Sequence, residues 1–239
     1  MRIAIVGLGG VGGYFGGKLA RAYAGSEHHE IIFIARGEHL RAIQQNGLQL
    51  FTKEGNYVAW PNIATDKSAI AGIFDLVFFC VKSYSLESSA RSLKSSINKN
   101  TVVIPLLNGV DSAERLRAEL PDATIVAGSV YIISHIEKPG VIRQEDGACK
   151  LTFGTNDTES SKQYASILDI LLKAKINATL TNKISEVLWS KYLLMCPVAS
   201  LTSATGKTYG AILEDPTLKK KVRGMMQEVA AVAKARHID

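Results

Sequence analysis

At 239 residues, with 46% hydrophobic and 21% charged side chains, the chain can bury a substantial core in one large domain or two smaller ones, and its composition is that of a globular, soluble protein. No apolar run approaches the roughly 18 to 20 residues that span a bilayer, which argues against a membrane-embedded role. The net charge of +6 includes one tight basic run, Lys219-Lys220-Lys221, with no nucleic-acid motif beside it; it reads as solvated helix surface, and a basic enzyme with anionic ligands accounts for the charge without a nucleic-acid partner.

The first two dozen residues read as strand, glycine turn and helix with no gap between them. Residues 2–6 form an apolar strand of the kind buried on both faces of a parallel sheet. Gly7-Leu8-Gly9-Gly10-Val11-Gly12 follows, its glycines spaced Gly-x-Gly-x-x-Gly. Gly7 allows a sharp turn, Gly9 lets the backbone approach a pyrophosphate, and Gly12 lets the helix pack close to the strand. A helix over about 11–24 would aim its free N–H groups and positive dipole end at that diphosphate. A glycine-rich turn without a ligand is the competing reading; the flanking strands and helix, which the motif requires, favour a dinucleotide. Seven glycines between Gly7 and Gly17 interrupt the apolar stretch, which does not read as a signal peptide, and a cytoplasmic location is expected.

A second strand, 30–35, is followed by Arg36. In NAD-binding folds an acidic side chain at this point accepts hydrogen bonds from the adenine ribose. A guanidinium cannot accept, and its forked donors suit a 2′-phosphate. NADPH is therefore the expected cofactor, with Glu38 a carboxylate that softens the preference and an ordinary surface arginine as the alternative. A helix over about 38–45 ends at Asn46-Gly47, a C-cap signal. Residues 48–51 and 57–60 read as strands around a turn at 53–56. The apolar runs 75–81 and 101–106 read as buried parallel strands joined by a helix, 86–97, which makes the fold doubly wound. Lys82 and Asn108 stand just beyond the ends of these strands, where open α/β sheets bind ligands; a solvated charge and an Asn-Gly turn are the respective alternatives.

Residues 125–136 and 140–144 read as strands separated by Lys138-Pro139-Gly140, with a further strand at 150–154, a helix at 160–173 and a last strand at 178–180. From Asn182 onward the pattern is wholly helical. The expected fold is α/β: a Rossmann-like doubly wound NADP-binding domain over 1–180, then an all-helical substrate or dimerisation domain over 181–239 that carries Lys191 into a cleft between the two. On its first helix Ile184, Val187, Leu188, Met195 and Val198 recur at three and four residues, and Lys191 falls on their stripe. Such a lysine either snorkels at an edge or sits where desolvation tunes its pKa, able to protonate a carbonyl oxygen as hydride reaches the carbon. Glu186 lies on the same helix with no spacing that makes it a specific partner.

Cys80, Cys149 and Cys196 are odd in number, far apart and without metal-ligand spacing; they read as buried free thiols, and no metal is expected. Over about 217–236, Leu218, Val222, Met225, Met226, Val229 and Ala233 repeat at helical spacing, a stripe that must be buried against something. Arg236-His237-Ile238-Asp239 supply no helix-ending signal. The expectation is that the natural polypeptide continues past Asp239, or that a second copy packs there as a homodimer.

Together, Gly7-Leu8-Gly9-Gly10-Val11-Gly12, Val81-Lys82, Leu107-Asn108-Gly109, Pro139-Gly140 and Leu188-Trp189-Ser190-Lys191 resemble the ketopantoate reductase (2-dehydropantoate 2-reductase) family over essentially the whole chain. The resemblance implies an NADPH-dependent oxidoreductase that reduces a 2-oxo acid, 2-dehydropantoate, to pantoate on the way to coenzyme A. It implies that Lys191 is the general acid and that Lys82 and Asn108 line the cofactor and substrate. Two departures bear on the substrate. Family asparagines four and eight residues beyond the catalytic lysine are Met195 and Ala199 here, which cannot make an amide's paired donor and acceptor contacts; Thr202 and Ser203 are the nearest polar substitutes. Family members also continue for further helices that help close the substrate cleft. Two other readings stand beside the first: a reductase of another 2-oxo acid with a more apolar substituent, and an NADPH-binding protein or sensor without chemistry.

Overall fold

In the computed structural model, which describes residues 1–145 and 147–238, the chain divides into two units that meet between Asn182 and Lys183. Asp239, the last residue of the predicted helix end, lies outside the described residues. The first unit runs β1 (Arg2–Val6), α1 (Gly10–Ala22), β2 (Glu30–Ile34), α2 (Gly37–Asn46), β3 (Leu48–Thr52), β4 (Gly55–Ala59), β5 (Ile63–Thr65), β6 (Leu76–Phe79), α3 (Leu86–Ser92), β7 (Val102–Pro105), α4 (Ser112–Glu119) and β8 (Thr124–Ile125). It continues with β9 (Ala127–Tyr131), β10 (Ser134–Lys138), β11 (Val141–Gln144), β12 (Lys150–Gly154), α5 (Thr158–Lys162), α6 (Ala165–Lys173) and β13 (Asn177–Thr181).

Six strands form one sheet in the order β5-β2-β1-β6-β7-β8, every neighbouring pair parallel. By place in this sheet the order is that of a Rossmann-like, doubly wound domain, reversing between β1 and β6. Alternation along each strand explains why the runs are apolar throughout. Ile3, Ile5, Ile31, Phe33, Leu76 and Phe78 enter one core layer, and Ala4, Val6, Ile32, Ile34, Val77 and Phe79 the other. The second layer is closed by Leu86, Ala90 and Leu93 with Ala113 and Leu116, so both faces must be greasy.

The first layer holds α1, pressed between the large sheet and a four-stranded sheet ordered β10-β11-β3-β4. A Cβ at Gly16 would lie 3.1 Å from Ile5 and Phe33, whereas one at Gly13 would meet Ile142 at 2.4 Å and one at Gly17 would meet Leu50 at 2.9 Å. Absent side chains on opposite faces thus let the helix sit between the sheets. The remaining strands form a third sheet, β13-β12-β9.

Several predicted elements come out differently, for local reasons. The run 125–136 is three strands because the chain changes sheets twice: β8, β9 and β10 belong to three different sheets. The helix predicted over 86–97 stops at Ser92, followed by a 3-10 turn at Lys94–Ser96. Serines here bond to backbone carbonyls, Ser92 Oγ to Ser89 at 2.7 Å and Ser96 Oγ to Ser68 at 3.1 Å, which competes with helix continuation. The helix predicted over 160–173 is α5 and α6, separated at Gln163-Tyr164, with Tyr164 and Ile167 both in the core. Asp157 caps α5 by accepting from the Ser160 N–H at 2.7 Å. The cysteines are free but half-buried rather than buried.

The second unit contains α7 (Ile184–Thr205), α8 (Tyr209–Glu214) and α9 (Pro216–Ala235). Asp215 caps α9 by accepting from the N–H groups of Thr217 and Leu218 at 3.0 and 3.1 Å, with Pro216 next to it at the start, an ordinary helix entry. Leu218, Met225 and Met226 pack on a small core of Leu201, Ile212 and Val222, so α7 and α8 cover part of the α9 stripe. A stop signal is present after all. His237 takes φ +58°, the Ile238 N–H donates to the Ala233 carbonyl at 3.1 Å and the His237 N–H to Lys234 at 3.0 Å. This is a Schellman closure with histidine in the place where glycine is usual. Among the described residues no helix is long and apolar enough to cross a membrane.

Candidate functional site

The site of the first unit begins where β1 runs out. Gly7 adopts φ +90°, a conformation that glycine takes without strain, and its N–H donates to the Ile34 carbonyl at 2.9 Å. On the other side the Cys80 N–H donates to the Val6 carbonyl at 2.8 Å. The crevice beyond β1 and β6 is therefore the point where strand order reverses, the place where doubly wound sheets bind ligands. A cavity of about 390 Å³ opens there, lined by Gly7, Leu8 and Gly9, by Arg36 and His39 after β2, by Asp66 after β5, and by Val81, Lys82, Tyr84, Ser85 and Ser89 after β6.

The glycines divide by what surrounds them. A Cβ at Gly12 would lie 1.9 Å from the Gly7 carbonyl oxygen, and one at Gly10 would lie 2.0 Å from the Ser134 carbonyl oxygen; these two seat α1 against the turn and β10. A Cβ at Gly9 would meet nothing within 4 Å. Gly9 is also the N-cap of α1, where no side chain caps the helix and no acidic residue occupies the first turn. Uncapped helix N–H groups beside open space fit the diphosphate of a dinucleotide.

Two cations line the same cavity. Arg36 is the exposed N-cap residue of α2 and Lys82 is exposed beyond β6. The loop carrying Lys82 is held by Arg115 of α4, which donates to Ser83 Oγ at 2.7 Å, to the Ser83 carbonyl at 2.8 Å and to Glu87 at 2.7 Å. The carboxylate that shares the cavity with Arg36 is Asp66. Glu38 is instead 78% exposed, 4.0 Å from Arg41 and outside the lining.

Of the residues singled out in the sequence, Gly7, Leu8, Gly9, Arg36 and Lys82 come together around this cavity, while Gly10, Val11 and Gly12 stand behind it as the start of α1. Asn108 lies at the same end of the sheet, exposed beyond β7 and outside the cavity lining. Lys191 belongs to the second unit, on α7, where it is 8% exposed and burial lowers its pKa below the usual lysine value. Trp189 and Tyr192 pack edge to face at 5.9 Å beside it in sequence. Met195 and Ala199 are exposed.

Sequence reading missed His39, Asp66 and Arg115. Asp66 follows the three-residue strand β5 and Arg115 lies on the eight-residue helix α4, elements too short to show periodicity. Ser85 and Ser89, one helical turn apart at the start of α3, were the legible signal of a polar wall.

The family model described as Ketopantoate reductase PanE/ApbA matches residues 3–158, and one described as Ketopantoate reductase PanE/ApbA C terminal matches residues 183–239. The crystal structure of 2-dehydropantoate 2-reductase from Porphyromonas gingivalis W83 has a TM-score of 0.92 at 34% identity, covering 99% of this chain and 83% of that one. A 2-dehydropantoate 2-reductase of Halobacterium salinarum is 29% identical over 236 residues, 98% of this chain and 76% of its own length. The ternary structure of D-mandelate dehydrogenase with NADH and anilino(oxo)acetate has a TM-score of 0.88 at 23% identity, covering 100% of this chain and 75% of that one, a likeness of fold.

Proposed function

We propose, from the premise that this chain belongs to the ketopantoate reductase PanE/ApbA family of oxidoreductases, that it reduces 2-dehydropantoate to pantoate with NADPH. The observation that carries this reading is the crevice itself: uncapped N–H groups of α1, an open face at Gly9, and Arg36 and Lys82 on one cavity. When bound, the reduced nicotinamide supplies a hydride to the carbonyl carbon of the 2-oxo acid. The turn from Gly7 to Gly12 holds the diphosphate, and Arg36 holds the 2′-phosphate through charge-assisted bonds. Lys82 offsets the negative charge that develops on the substrate, Asn108 orients the reacting groups, and Lys191 gives the proton to the carbonyl oxygen. In this reading residues 1–180 bind NADP, and residues 181–239 serve substrate binding and dimerisation.

NADPH oxidation followed with a panel of 2-oxo acids tests the reaction. Turnover of 2-dehydropantoate ahead of the other acids is the expected result. Met195 and Ala199, exposed and without amide groups, favour a second reading in which the preferred acid carries a more apolar substituent; faster turnover of such an acid selects it. NADPH binding without turnover of any acid selects the reading as a sensor. We also place the protein in the cytoplasm as a homodimer, the second copy covering apolar surface on α8 and α9, where Tyr209, Leu213 and Val232 are 36%, 37% and 51% exposed. Sedimentation that gives a monomer at all concentrations overturns the dimer.

Arg36→Ala is expected to weaken NADPH binding by about 1.5 to 3 kcal/mol, the worth of hydrogen bonds to a charged group, and to leave NADH binding nearly unchanged. Titration of both cofactors against both proteins checks this. Equal affinity of the wild type for NADPH and NADH refutes the assignment of Arg36.

A further inference from the structure

Among the described residues, His39 is the one imidazole on the lining of the cavity. It stands in the first turn of α2 and is held at one nitrogen: Nδ1 accepts from the Gly140 N–H at 3.1 Å. Nδ1 must therefore offer a lone pair, which in the neutral ring leaves the proton on Nε2. The anchor is rigid. Gly140 follows Pro139 in the turn between β10 and β11 at φ +78°, a Cβ there would lie 2.9 Å from the Ala42 Cβ of α2, and its own carbonyl accepts from the Gln49 N–H at 2.9 Å.

The other nitrogen is differently placed. Nε2 is sealed from solvent and meets no acceptor at full hydrogen-bonding geometry among the described residues. Burial lowers the pKa of the ring, against which the backbone of Leu8 favours its protonated form; Leu8, in the middle of the glycine turn, lines the same cavity as His39. A buried donor that lacks a well-aligned partner is costly, and an acceptor that moves to meet it recovers that cost. The Leu8 carbonyl is a backbone acceptor on the turn that lines the cavity beside His39.

We infer that His39 is a positioning residue for the dinucleotide site: with its proton on Nε2 it links the Gly140 turn to the Leu8 carbonyl and sets the glycine turn for the ligand. Bound ligand, by fixing the turn, strengthens the link. This rests on the reading of the cavity as a dinucleotide site. The role differs from packing α2 against the hairpin, for which the Nδ1 bond alone suffices.

Two variants separate the two ends of the ring. His39→Asn keeps an acceptor near the Nδ1 position, and His39→Gln keeps an N–H donor near the Nε2 position. The expected result is that His39→Asn melts close to wild type yet binds NADPH about threefold to tenfold more weakly, the size of one hydrogen bond, whereas His39→Gln retains most of the affinity. NADPH binding by His39→Asn equal to wild type overturns the inference, as does His39→Gln binding no better than His39→Asn. Nitrogen-15 spectra of the wild-type imidazole read the tautomer without any substitution. A protonated Nε2 whose proton resonance moves downfield on addition of NADPH supports the link, and a protonated Nδ1 overturns it. Failure of the wild type to bind NADPH at all would instead overturn the dinucleotide reading, which is a separate result.

Discussion

Lys191→Ala is expected to lower kcat by about 10²- to 10⁴-fold, the range that a positioned general acid contributes, while the dissociation constant for NADPH stays at the wild-type value because the glycine turn belongs to the other unit. Single-turnover oxidation of bound NADPH, run beside a fluorescence titration, reads both quantities. Loss of binding in step with loss of turnover would show that Lys191 acts through structure instead. The pH dependence has a definite sign. A general acid works protonated, so kcat/KM falls as pH rises through its pKa, and burial places that fall below the ordinary lysine value of 10.5. Stability moves the other way. With the folded-state pKa lowered, the unfolded chain binds more protons between the two values, so this group's destabilising contribution is fully present below the folded-state pKa and is relieved as pH rises toward the unfolded one. Urea unfolding of wild type and Lys191→Ala across neutral to alkaline pH should show the wild type gaining relative to the variant.

The second large effect separates two glycines three residues apart. Gly12→Ala would place a methyl 1.9 Å from the Gly7 carbonyl oxygen and 2.9 Å from the Cys80 Cβ, both on packed backbone or its first side-chain atom. Displacing the start of α1 should cost about 1 to 3 kcal/mol, as overpacking does elsewhere, and NADPH binding should fall with it because the helix N-terminus moves. Gly9→Ala meets no atom within 4 Å, and the melting temperature should be unchanged. Its methyl points into the space assigned to the diphosphate, so NADPH affinity should drop by about tenfold or more, the equivalent of at least ~1.4 kcal/mol. A stable Gly12→Ala would remove the argument for how α1 is seated, and a Gly9→Ala protein with normal affinity would move the diphosphate elsewhere.

What was legible in the sequence follows from which signals are local. The glycine spacing and the apolar runs of β1, β2, β6 and β7 are written in consecutive residues, so the doubly wound sheet and its crevice could be read directly. The Pro139-Gly140 turn and the Asn46-Gly47 helix end were equally plain, since each depends on one dihedral preference. Asp66 and Arg115 were hidden because β5 and α4 are too short to carry a period. His39 was hidden for another reason: its partner, Gly140, lies far away in sequence and offers only a backbone group, which no pattern of side chains records. The stop of α9 was missed because the left-handed residue is His237, not glycine. Lys191 showed the converse. Its apolar stripe was visible, yet Met195 on that stripe is exposed while the lysine is buried, so periodicity alone did not rank burial along α7.

The glycines that seat α1 between two sheets also bear on when the site comes into being. Of the thirteen residues in α1, five are glycine, at positions 10, 12, 13, 16 and 17, and each costs about 0.8 to 1 kcal/mol of helix propensity relative to alanine. A peptide with this sequence should be unstructured in water, because a short helix needs strong formers even to approach half population. The helix therefore exists by courtesy of the sheets on either side, and its amide protons should exchange with deuterium only through opening of the whole unit, as slowly as those of β1. Nucleotide binding would then require a fully assembled fold, with no partly folded species competent to take it up, and saturating cofactor would raise the protection of α1 and β1 by the same factor.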